Sequence, residues 1–230
     1  MLVFNKSHLQ VLAVQAAAIL LTGCITFGVM WARTLSQSNS ARAFLSDIVK
    51  LKVGESTFSE AKLVAEKHGG IPWWVNCTSM QCRYERCQFR FVFENKPLTS
   101  THLVPYIGLI GTLVVENGVV TDRDLDYFRY SRRSFSYHVE ELVLVAGNSP
   151  GAQGIRGLMG FRRMNVDAAG IPSAVSIGLS QLTRAEERQR AYSIDVSCLS
   201  KIFGCSGPSA IFPLSISYRG TRYQSHAETW

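Results

Sequence analysis

Residues 9–31 read LQVLAVQAAAILLTGCITFGVMW, a run without Asp, Glu, Lys, Arg or His. As a helix it would rise about 34 Å at 1.5 Å per residue, enough to cross a hydrocarbon core about 30 Å thick with modest tilt. Gln10 and Gln15 are its only strongly polar side chains, both in the N-terminal third, within reach of headgroups or a neighbouring helix. Trp31 sits where an interfacial anchor belongs. A core helix of a soluble domain would carry charge on at least one face over six turns. The run therefore reads as a transmembrane signal anchor, residues 9–32, preceded by a short N-terminal tail, residues 1–8.

Two other fates of the segment compete. Signal-peptide cleavage needs a small-residue site close behind the apolar run, and the nearest, Ala41-Arg42-Ala43, lies too far downstream. Leu21-Thr22-Gly23-Cys24 resembles a bacterial lipobox, which makes Cys24 a lipidation candidate, but residues 25–30 stay apolar where a lipoprotein turns polar. The uncleaved anchor is the reading carried forward, with lipidation of Cys24 as the alternative.

Orientation draws on opposing signals. Arg33, Arg42, Lys50 and Lys52 come after the run, against Lys6 before it, and the positive-inside tendency would put the C-terminal side in the cytoplasm. Five further cysteines, Cys77, Cys82, Cys87, Cys198 and Cys205, fall in two tight clusters, as disulfides do in oxidising compartments. Long domains translocate largely regardless of charge, so the cysteines decide for an extracytoplasmic domain, periplasmic or at the cell surface. Five cannot all pair, and the connectivity stays open. The Cys77-x4-Cys82-x4-Cys87 spacing fits neither short-loop zinc pairs nor a C-x-x-C redox motif. Asn76-Cys77-Thr78 also matches an N-glycosylation acceptor.

The net charge is +7. Lys6 is the only Lys or Arg before Arg33, so +6 belongs to the chain from Arg33 onward, thinly spread as a solubility charge or a weak preference for anionic surfaces. Residues 33–50, with SQSNS at 36–40, read as a juxtamembrane tether. Thr57 and Glu60 then form a capping box. Phe58, Ala61, Val64, Ala65 and His68 recur at helical spacing, and Gly69-Gly70 with Pro72 just beyond stops the helix. His68, in the last turn, reads as a surface residue favoured by the helix dipole.

Leu51, Gly54, Thr57, Glu60, Gly69-Gly70 and Pro72 resemble the L-x-x-G-x-[ST]-x-x-[EQ] helix entry and G-x-P exit of small bacterial cell-envelope domains of the outer-membrane assembly lipoprotein type (SmpA/OmlA, BamE-like). Residues 113–120, LVVENGVV, resemble the strand, Asn-Gly turn and strand of that family's sheet. The similarity covers residues 51–120. It implies helices packed on a three-stranded antiparallel sheet, a binding or scaffolding role, and no catalytic residues to carry over.

Strand patterns fill the middle of the chain. Residues 88–94 set Phe89, Phe91 and Phe93 on one face and Arg90 and Val92 on the other. Residues 106–116 and 119–130 flank Asn117-Gly118, a type I′ hairpin signal, and residues 137–146 supply a fourth strand. Residues 129–137, RYSRRSFSY, interleave basic and aromatic side chains as single-strand nucleic-acid binders do. An exposed connection has the same composition, so nucleic acid is not the expected partner. Gly151, Gly154, Gly157 and Gly160 mark a loop, without the Lys-Ser/Thr ending of a phosphate-binding loop. Beyond it come a strand at 174–179, a second capping box at Thr183 and Glu186, and a helix expected over 184–203 with Cys198 on it. Cys205 can bridge back to Cys198 if the chain turns after Gly204.

Catalytic frames are absent: five scattered His and no G-x-S-x-G. Asp122, Asp124 and Asp126 would share one strand face, an acidic stripe of the kind that takes Ca²⁺ or Mg²⁺. The calcium-loop Gly and Glu are missing, and Arg123 and Arg129 stand ready to neutralise the stripe, so no metal, cofactor or catalytic residue is assigned. The expectation is α+β: an N-terminal transmembrane helix, then an antiparallel β-meander packed against a few helices. Residues 51–149 form the helix and sheet, and 150–230 a Gly-rich loop and helix-containing extension on the same domain. Its partners are the bilayer, through residues 9–32, and an envelope protein. The expected role is binding or scaffolding; the alternatives are a thiol-dependent redox enzyme or hydrolase of the envelope, or a cytoplasm-facing basic module.

Overall fold

The computed structural model describes residues 6–72, 86–100, 104–130, 134–143, 162–166, 172–201 and 205. It opens on a single helix, α1 (Lys6–Ile48), 43 residues long, long and apolar enough to cross a membrane. Its two parts differ in what surrounds them. Up to Val29 the described side chains lie open on every side, Ile19 at 72% exposure and Leu20 at 69%. From Thr34 on, a stripe turns inward: Thr34, Ser38, Ala41, Phe44, Leu45 and Ile48 are buried, the three-and-four spacing of one helix face.

Residues 33–48, expected as a tether, are therefore helix and core. Ser36, Gln37, Asn39 and Ser40 are its solvent face. The inward stripe begins with small polar residues, which hid its period. Ser38 Oγ donates to Val196 O at 3.0 Å, and Thr34 Oγ1 bonds back to Met30 O at 2.9 Å. Trp31 Nε1 donates to Ser200 O at 3.2 Å, so contact with the domain begins where the exposed run ends.

After α1 the chain forms α2 (Phe58–His68), with both capping-box bonds made between Thr57 and Glu60 and with Gly69 in the left-handed conformation at φ 67°. It is seated on the hairpin by backbone bonds: Gly54 N to Val120 O, Val120 N to Ser56 O and Phe58 N to Gly118 O, each 2.8 Å.

Among the described residues, seven strands form one sheet in the order β1-β2-β3-β4-β5-β7-β6. They are β1 (Ile71–Pro72), β2 (Arg86–Glu94), β3 (Tyr106–Glu116), β4 (Val119–Tyr130), β5 (Phe135–Leu142), β6 (Arg162–Val166) and β7 (Pro172–Ser180). A short α3 (Lys96–Thr99) links β2 to β3. Asn117 and Gly118 take φ 51° and 77° at the β3–β4 turn, the positive values a type I′ turn requires. The meander β2 to β5 is antiparallel, as the sequence suggests. The parallel pairing of β5 with β7 and the outer strand β6 are not legible in the sequence, since alternation fixes a strand's face and leaves its partner's direction open.

One face of the sheet is the core. Cys87, Phe89, Phe91 and Phe93 of β2, Leu109 and Leu113 of β3, Leu125 and Tyr127 of β4, Tyr137 and Val139 of β5, and Val175 and Ile177 of β7 are buried on it. The inward stripe of α1 fills it, Phe44 lying 4.4 Å from Phe91 and 5.3 Å from Phe93 between ring centroids. Gly111 passes directly beneath the Phe44 ring, where a Cβ would collide with it.

The C-terminal helix departs from expectation. α4 (Ala185–Tyr192) ends at Ser193, and a separate 3₁₀ turn (Val196–Leu199) comes next, its start capped by Asp195, which accepts from Ser197 N at 2.9 Å. The second capping box is not formed. Arg184 is the N-cap, and Thr183 Oγ1 accepts instead from Ser180 N at 2.9 Å. Cys198 lies on the 3₁₀ turn and is disulfide-bonded to Cys205 with the Cα atoms 5.2 Å apart.

Candidate functional site

Asp122, Asp124 and Asp126 do share one face of β4, the face turned away from α1. Arg123 does not neutralise them. Alternation sends it to the core face, where it is fully buried with Glu141, and Arg129 occupies a register position on Arg123's side. What stands beside the stripe comes from β5. The register sets His138 opposite Asp126 and Glu140 opposite Asp124, so four ionisable side chains form a two-by-two patch with Asp122 at its edge. Cross-strand neighbours have Cβ atoms about 5 Å apart, close enough for direct bonds.

His138 is the hub. Its Nδ1 lies 2.8 Å from Asp126 Oδ1, within hydrogen-bond distance, and 3.2 Å from Asp124 Oδ1. Its Nε2 lies 4.0 Å from Glu140 Oε2. The hydrogen bond to Asp126 raises the His138 imidazole to about 10, Glu140 adding to the shift and burial opposing it. Removal from water pushes the Asp122 carboxyl up to about 7, with the Glu140 and Asp124 charges contributing. Asp124 is pushed up to about 7 by the same desolvation and by Asp126, while His138 opposes. Asp122 Oδ1 is closed off from solvent and accepts no hydrogen bond, whereas Asp124 Oδ1, also closed off, has His138 Nδ1 as its ion-pair partner. His138 stands within ion-pair distance of three carboxylates, Asp124, Asp126 and Glu140. Two oxygens and one nitrogen converging in this way are a donor set able to hold a metal ion.

His138 and Glu140 are not singled out by the sequence. Counting back across the β4–β5 connection would find them, but the length of that connection is not marked by any turn motif. The basic-aromatic segment is taken apart by the sheet. Phe135 and Tyr137 point into the core, Tyr137 donating to Ala191 O at 2.6 Å, and are not available for stacking; Tyr130 is exposed. Residues 131–133 lie outside the described residues.

Among the cysteines, Cys24 is free and exposed in α1, Cys198 pairs with Cys205, and Cys87 is buried and disulfide-bonded. Cys77, Cys82, the Asn76 acceptor and the glycine series from Gly151 to Gly160 lie outside the described residues. His68, expected on the surface, is nearly buried between α1 and α2, with Nε2 2.9 Å from Asp47 Oδ2 and its ring edge-on to Phe44. Compared with known proteins, the chain matches no family model, no curated protein and no solved structure.

Proposed function

We propose that this chain is a single-pass membrane protein whose sheet domain lies outside the cytoplasm and acts by binding or scaffolding in the cell envelope. The observation that carries the reading is the continuity of α1. Side chains that would be costly to leave in water, such as Ile19 and Leu20, stand open on all sides of its first part, while its last turns are inseparable from the core. A bilayer supplies the missing apolar surroundings. The disulfide-bonded Cys87, Cys198 and Cys205 support the oxidising side, and the resemblance of residues 51–120 to envelope domains supports a binding role.

The test is the mass of the full-length protein, alkylated at lysis, with and without reductant, joined to protease protection in intact cells. A full-length mass with disulfides and a domain clipped from outside is the expected result. Fully alkylated thiols with a protected domain would put the sheet in the cytoplasm. A mass starting at an acylated Cys24 would make the chain a lipoprotein. A stable partner in mild-detergent pull-downs is expected, and repeated recovery of a lone monomer would count against scaffolding.

A further inference from the structure

We infer that Asp124 and Asp126 of β4 and His138 of β5 form a binding site for a divalent first-row transition ion, with Zn²⁺ the favoured occupant. Three ligand atoms, His138 Nδ1 and one oxygen from each Asp, lie within 4.8 Å of one another. Around a tetrahedral Zn²⁺ at about 2.0–2.2 Å, neighbouring ligand atoms sit about 3.3 Å apart. The 2.8 and 3.2 Å separations from Nδ1 to the two carboxylates are already close to that spacing. The frame is rigid, because the two Asp are alternate residues of one strand and His138 is the register partner of Asp126 on the next.

A protonated His138 acting as an internal counter-ion would explain part of the cluster. It does not account for the whole. One imidazolium faces Asp124, Asp126 and Glu140, and beside them Asp122 Oδ1 is shut away from solvent without a hydrogen bond. Three carboxylates against one imidazolium leave the cluster short of positive charge, and a metal ion bonded to Asp124 and Asp126 exchanges the one charge of the imidazolium for two, beside the Asp122 oxygen that lacks a partner. Binding exchanges the Nδ1 proton for the metal, the proton leaving to solvent, with no change in oxidation state. Glu140, near Nε2, is placed to accept from the other ring nitrogen and hold the tautomer that turns Nδ1 to the metal.

The donor set also selects the ion. Imidazole with carboxylates suits Zn²⁺ and its neighbours, whereas Ca²⁺ takes six to eight oxygens and Mg²⁺ keeps an octahedral shell of oxygens. The site therefore differs from the calcium or magnesium stripe that three aspartates alone suggest. The cluster remains half-exposed, which leaves a coordination position open to water.

The experiment uses untagged full-length protein in detergent, stripped with chelator and titrated calorimetrically with Zn²⁺, with Ca²⁺ as the competitor. One equivalent is expected to bind with micromolar or tighter affinity and to resist millimolar Ca²⁺. H138Q and D126N should each weaken binding at least about tenfold while keeping the wild-type circular dichroism spectrum. Because either variant can lose its fold, the wild-type zinc-loaded protein is also examined by X-ray absorption at the zinc edge. A shell of one imidazole and oxygens is expected. Absence of binding, Ca²⁺ binding in place of Zn²⁺, sulfur or a second imidazole in the shell, or full affinity in a folded H138Q would each overturn the assignment.

Discussion

Arg123 carries its charge into the core face of the sheet, and every element near it is tied to that charge. Nη1 donates to the carbonyls of Ile48, the last residue of α1, and of Leu51 just beyond it, Nη2 pairs with Glu141, and the guanidinium lies 4.3 Å over the Tyr192 ring. Arg188 of α4 holds the other Glu141 oxygen at 2.7 Å. Arg123→Met removes the donor from two buried carbonyls and a buried carboxylate, and should cost about 3–5 kcal/mol. Glu141 keeps its bond from Arg188 in that variant, so adding Glu141→Leu strands the Arg188 guanidinium, only 16% exposed, and should deepen the loss; denaturant melts of the two variants decide, and a double variant more stable than the single would refute the argument. Asp47 is the surface counterpart. Hydrogen bonds from Lys50, then Lys67 and His68, hold its carboxyl well below the usual carboxylate range. A lowered acid stabilises the fold above its unfolded pKa, and that contribution drains away as pH falls toward the depressed folded value. Both lysines are largely exposed, so screening keeps the effect near about 1 kcal/mol. Asp47→Asn should therefore melt below the wild type at pH 7, with the gap narrowing below about pH 4; a gap constant from pH 7 to pH 2 would mean that the loss is one of packing.

At the scale of the element, α1 meets the sheet through a large side chain set over a missing one. Phe44 fills the space above Gly111, and a methyl group at 111 collides with the ring. Gly111→Ala should destabilise by about 1–3 kcal/mol, the range for overpacking a filled core. Adding Phe44→Leu, a smaller side chain at the same place, should recover part of the loss, and a purely additive double variant would show that the contact is not the cause. The same contact explains what could be read from the sequence. α2 and the β3–β4 hairpin were legible entire, because Thr57, Glu60, Gly69, Asn117 and Gly118 mark their own ends through local bonds and dihedrals. The second half of α1 was not, since its inward stripe starts with Thr34 and Ser38, whose burial rests on the distant carbonyl of Val196 and on close packing. At Thr183 the expected cap failed for a related reason: its hydroxyl closes the turn from Ser180 and is no longer free for the helix. The aspartate stripe was legible as a face. Its basic partner was not, because alternation turns Arg123 away and the His138 that replaces it comes from another strand.

Across the whole molecule, the exposed apolar run and the folded domain share one helix, so the position of the domain is set by the phase of α1. An extra residue in a helix turns everything beyond it by about 100° and moves it about 1.5 Å along the axis. Inserted after Ala32, one Ala rotates the apolar run against the domain and leaves the stripe from Thr34 to Ile48 in register. Its cost is the Trp31 bond to Ser200, about 1 kcal/mol, or about 2–4 °C in a protein of this size. Inserted after Ser46, the same residue divides the stripe and forces a choice. Either Ala41, Phe44 and Leu45 turn off the sheet, or Ile48 and the carbonyls held by Arg123 do. Loss of the Phe44 contact alone is worth about 3–5 kcal/mol by analogy with Phe truncation, so thermal melts should separate the two insertions by about 4 °C or more. The upstream insertion should also keep the protein in the membrane fraction with the domain folded and turned. Equal tolerance of both insertions would mean that α1 is a loose tether after all, and equal damage would mean that the domain depends on the phase of the apolar run as well as on the stripe.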